Sequence, residues 1–81
     1  MSQLINETVD VNAFYFISGK ELKTFPRQIE YGGRAVTFDG GLRCLVQREG
    51  RNTCLFNMNG TDGASYRLRQ EGNQWTLMSM A

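Results

Sequence analysis

The chain has 81 residues, 41% of them hydrophobic and 21% charged; that is enough for one small domain, with the composition of a globular chain rather than a disordered or membrane one, and too little for a large enclosed active site. The formal net charge of +1 selects no partner, because recognition depends on where charge sits rather than on its sum. Nine glycines, one proline and no histidine say more: the glycines mark tight turns, and the missing His removes the commonest general base and transition-metal ligand.

Residues 1–12 fit two conformations. Ser2 would cap a short helix carrying Leu4, Ile5 and Val9, while Val9 and Val11 alternate as a strand does. The segment lacks the basic and apolar regions of a signal peptide, and no apolar run is long enough to span a membrane, so a cytoplasmic chain is expected. The sequons at Asn6 and Asn59 carry little weight without secretion.

Ala13-Phe14-Tyr15-Phe16-Ile17 is apolar on both faces and predicts a central or covered strand, turning at Gly19-Lys20 into Glu21–Phe25. Pro26 cannot donate a ladder hydrogen bond and should mark a bend or an edge before the strand that starts near Arg27. Gly32-Gly33, as a two-residue loop, sets Ile29 opposite Val36. A three-residue loop Asp39-Gly40-Gly41 would then pair Val36 with Cys44 and Phe38 with Leu42. Arg48-Glu49-Gly50, as a type I turn ending in a left-handed Gly, pairs Cys44 with Cys54 and Leu42 with Phe56. A five-residue loop Asn59–Gly63 brings Phe56 to Tyr66 and Cys54 to Leu68, and a Glu71-Gly72 loop brings Leu68 to Trp75.

These registers deliver Ile29, Tyr31, Val36, Phe38, Leu42, Cys44, Val46, Cys54, Phe56, Met58, Tyr66, Leu68, Trp75 and Leu77 to one face. The predicted fold is all-β: one domain over residues 1–81, an antiparallel up-and-down meander of about 7–8 short strands closing into a small barrel or a strongly twisted sheet.

Little here points to catalysis. The eight carboxylates fall mostly at turns and termini, and two cysteines without His make a poor zinc site. Cys44 and Cys54, placed opposite each other, are within bridging reach, although a reducing compartment favours two free thiols. Asp39-Gly40-Gly41 and Asn59–Gly63 are rich in oxygen donors, but turn chemistry accounts for both and neither has the ligand spacing of a calcium loop. No catalytic residue, cofactor or metal is expected.

What remains is the opposite face. Residues 42–69 hold five arginines against Glu49 and Asp62. The candidate binding residues are Arg43, Leu45, Arg51, Leu55, Arg67 and Arg69, arginine mixed with exposed apolar residues as in many protein interfaces, with Arg over-represented at hot spots. The expected function is a non-enzymatic protein-binding domain of the small inhibitor, immunity-protein or accessory-subunit type. A single-stranded nucleic-acid-binding barrel ranks below it, because the aromatic rings that would stack on bases are expected inside, and a small apolar-ligand carrier ranks below that.

Overall fold

The computed structural model describes residues 3–81. Among them six strands form a closed antiparallel meander in sequence order: β1 (Gln3–Ser18), β2 (Leu22–Tyr31), β3 (Arg34–Arg48), β4 (Arg51–Gly60), β5 (Ser65–Glu71) and β6 (Gln74–Met80). Closure comes from β1 pairing β6, with Gln3 opposite Met80 and Val9 opposite Trp75. The N-terminal segment is therefore strand rather than helix from Gln3 onward, since its backbone groups serve as the closing ladder. Ser2, the expected helix cap, lies outside the described residues. Beyond Val9 the same strand changes partner and pairs β2, helped by bulges around Asn6, which takes a φ of 52°, and around Asn12.

The strands are fewer and longer than expected because two predicted breaks, the bend or edge at Pro26 and the loop at Asp39-Gly40-Gly41, do not interrupt a strand. Pro26 stays within β2, opposite Phe14, at a register shift in the β1–β2 ladder. Asp39 and Gly40 stay within β3 as a bulge between Phe38↔Gly60 and Gly40↔Asn59. Gly41 then lies so close to β4 that a Cβ there would overlap the Met58 sulfur and the Asn57 carbonyl oxygen. This glycine serves close approach of two backbones, not a hairpin.

The registers differ from expectation in a way that matters by parity. Ile29 pairs Val36 as predicted. Phe56 pairs Leu68 and Leu68 pairs Leu77, each two residues away from the expected partner, and an even slip leaves every side chain on its predicted face. Trp75 accordingly sits opposite Gln70, not Leu68. The β3–β4 hairpin slips by one. Glu49 and Gly50 form a two-residue loop with φ of 51° and 75°, so Cys44 pairs Leu55 and Cys54 pairs Leu45. That odd slip turns Leu42, Cys44 and Val46 away from the core side and turns Arg43 and Leu45 toward it.

The core consists of Val9, Phe25, Ile29, Val36, Phe38, Phe56, Met58, Tyr66, Leu68, Trp75 and Leu77. Rings from four strands interlock at one end: Tyr15 stacks on Phe25 at 5.2 Å, Phe25 meets Phe56 edge-on at 5.9 Å, Phe56 lies 5.2 Å from Trp75, and Trp75 lies 6.0 Å from Phe14. At the other end Tyr66 donates to Asp62 Oδ2 at 2.6 Å, while Asp62 Oδ1 accepts from the Ala64 amide at 3.0 Å. The oxygen-rich 59–63 segment therefore spends its carboxylate on its own turn.

Candidate binding surface

In a meander the hairpin loops alternate between the two ends of the barrel. The Ser18–Leu22, Arg48–Arg51 and Glu71–Gln74 connections share one end, and the two longest hairpins, β1–β2 and β3–β4, project there as arms. They project because β2 and β3 pair only from Gln28↔Thr37 to Tyr31↔Arg34. Beyond that point β2 runs on to Leu22 and β3 to Arg48 with no partner between them among the described residues. Pro26, lacking an N–H, sits where this shared ladder has just ended.

The first arm carries Phe14, Phe16, Ile17 and Leu22 at 45–65% exposure. The strand expected to be covered is thus half of an open two-stranded ribbon. Residues apolar on both faces look the same in sequence whether another layer covers them or nothing does. Arg27 stacks its guanidinium 4.5 Å over the Tyr15 ring at the base of this arm. Burial pushes the Tyr15 hydroxyl above its usual pKa, with Arg27 opposing the rise and Asp39 adding to it.

The six predicted binding residues divide. Leu55, Arg67 and Arg69 do share the outer face: Leu55 pairs Arg69 and Asn57 pairs Arg67 across β4–β5. Arg67 Nε donates to Asn57 Oδ1 at 3.1 Å. Arg69 Nε lies 3.0 Å from Glu71 Oε1 without the alignment of a hydrogen bond. Arg51 faces Arg48 at the hairpin tip, both exposed, roughly 13 Å along the strand from Leu55. Arg43 and Leu45 lie on the other side of the ribbon, paired with Phe56 and Cys54, where Arg43 Nη2 reaches Cys54 Sγ at 3.5 Å. Arg43 is therefore not beside Arg67 and Arg69, and Cys44 and Cys54 are not opposite each other; both are free thiols.

The odd slip puts Leu42 in the place that Leu45 was expected to take. Leu42 is 73% exposed, opposite Asn57 and two residues from Cys44. The outer face of β3, β4 and β5 then reads Leu42, Cys44, Leu55, Asn57, Arg67 and Arg69. The sequence reading missed Leu42, and it missed the first arm as a surface altogether.

Among the described residues no group of three His, Cys, Asp or Glu side chains is placed to hold a metal ion. No helix among them is long and apolar enough to cross a membrane. No protein-family model, curated protein or solved structure matches the chain.

Proposed function

We propose that the chain is a non-enzymatic protein-binding domain, of the kind that serves as a small inhibitor, immunity protein or accessory subunit, and that it engages its partner through the outer face of β3, β4 and β5. The observation that carries this reading is Leu42, 73% exposed on a paired strand, within a patch completed by Leu55, Arg67 and Arg69. Arginine is enriched at interfaces and at their hot spots, and Leu42 and Leu55 add apolar area beside it; a hydrogen-bonded sheet holds these groups with little ordering left to do on binding. Arg67→Glu/Arg69→Glu, together with Leu42→Asp as a separate variant, tests it in affinity capture from the native host. A protein enriched by the wild type and lost by both folded variants supports the assignment; capture unchanged by both removes it.

One observation keeps a second reading in play: Phe14 and Phe16 are exposed on one face of the first arm, while Lys23 and Arg27 lie on its other face with Ile17 and Tyr15. Exposed rings suit stacking on the bases of single-stranded nucleic acid, and cations on the same arm suit its backbone. Oligonucleotide titrations at two salt concentrations decide it, since phosphate contacts impose a steep salt dependence. A ligand carrier would need interior space, which Ile29, Phe38, Met58, Leu68 and Leu77 occupy at 0% exposure.

A further inference from the structure

We propose that the open edge of β3, from Asp39 to Arg48, accepts an extended acidic segment of the partner protein as an added strand. This assignment rests on the protein-binding reading and names the chemistry of the partner. β3 is paired with β4 on one side from Gly40 to Arg48, while β2 leaves its other side on the loop side of Thr37. Among the described residues the strand therefore presents the unpaired N–H and C=O groups of alternate residues over a ten-residue span, about 33 Å of edge. Proteins usually blunt such an edge with proline, bulges or clustered charge. This one holds no proline, its bulge lies at the base, at Asp39, and its own charges, Arg43 and Arg48, repel a basic strand but not an acidic one.

Two features define the occupant. An unpaired main-chain edge is satisfied by another extended main chain, and Leu42, Leu45 and Val46 offer apolar contacts on both faces to alternate side chains of the added strand. The charge around the gap sets its sign. The segments 20–27 and 39–51, which flank it, hold six of the nine Lys and Arg residues (Lys20, Lys23, Arg27, Arg43, Arg48, Arg51) and three of the eight acids (Glu21, Asp39, Glu49). A second copy of the chain would bring this basic edge against itself, whereas an acidic strand meets opposite charge.

The probe is a fluorescein-labelled peptide of about ten residues alternating Glu with Val, measured by fluorescence polarisation on the intact chain. One control replaces Glu by Lys, and a second carries N-methyl groups on alternate amides, which removes ladder hydrogen bonds but not charge. The acidic peptide should bind and slow hydrogen exchange of amides within Asp39–Arg48, with both controls at least about tenfold weaker. Arg43→Glu should weaken the acidic peptide similarly. Equal binding by either control, self-association of the chain through this edge, displacement of the peptide by an oligonucleotide, or no binding up to about 1 mM overturns the assignment. If the acidic peptide fails while host-partner capture is lost in Arg67→Glu/Arg69→Glu, the edge assignment falls and the protein-binding reading stands. If capture is unaffected by the outer-face variants, that reading falls as well.

Discussion

Leu45→Cys in a Cys44→Ser background tests the β3–β4 register directly. Leu45 and Cys54 are paired residues on the same side of the ribbon, and paired Cα atoms in antiparallel strands lie about 4.5–5.5 Å apart, inside the range a disulfide spans. Cys44 and Cys54 are offset by one position and point to opposite faces, so the wild type should keep both thiols under mild oxidation while the variant bridges. The bridge closes a loop of residues 45–54, ten in all. The chain-entropy relation gives about 9 cal/mol/K for that length, or about 2.7 kcal/mol at 25 °C. For a domain of this size that is an upper limit of about 10–20 °C in Tm. Leu45 is 49% exposed, so its loss should offset little of the gain. Intact mass and thiol titration report the bridge, and melting with and without reductant reports its effect. A wild type that bridges, or a variant that keeps two free thiols, would refute the register and with it the placement of Leu42 on the outer face.

Other expectations are open to simple measurements. Phe56, 1% exposed and touching Phe25 and Trp75, should cost about 3–5 kcal/mol as Phe56→Ala, against a total of about 4–12 kcal/mol for a chain of this length; urea unfolding that shows less than 1 kcal/mol contradicts the described core. Gly41→Ala forces a Cβ into Met58 and Asn57, whereas Gly40→Ala meets nothing within 4 Å, so the first should lose about 1–3 kcal/mol and the second stay within about 0.5 kcal/mol of wild type. The Tyr66 hydroxyl is pushed up to about 12, by burial first and then by its bond to Asp62. A raised pKa favours the neutral form in the fold, so this contribution is complete below about pH 10 and lost as the pH rises from 10 toward 12. The Asp62 carboxyl is held below its usual value by Tyr66 and the Ala64 amide, and its contribution is present above about pH 4 and lost on further acidification. Tyr66→Phe should flatten the alkaline limb of a stability-versus-pH curve; an unchanged limb would place its cause elsewhere.

Much of the fold is legible in the residues because turn chemistry is local. Gly32-Gly33 takes the two positive φ values of its loop, and the resulting Ile29–Val36 pair needs no other part of the molecule. Alternation in β4, β5 and β6 assigns Phe56, Met58, Tyr66, Leu68, Trp75 and Leu77 to the interior even though two registers were off by two residues, since side-chain direction depends only on parity. Tertiary structure decided what local chemistry left balanced. Residues 3–9 are strand because β6 needs a closing partner. Asp39-Gly40-Gly41 is a bulge and a close approach because Met58 already fills the interior at that level. At Glu49-Gly50 a two-residue and a three-residue loop differ little in local terms but differ by one in register. With Gly41 paired to Met58 at close approach, the β3–β4 register turns Leu42 to the outer face and Arg43 and Leu45 to the side of Phe56 and Cys54. The arginine-and-leucine face was visible as a composition, but its membership was settled by how one hairpin packs against the interior it encloses.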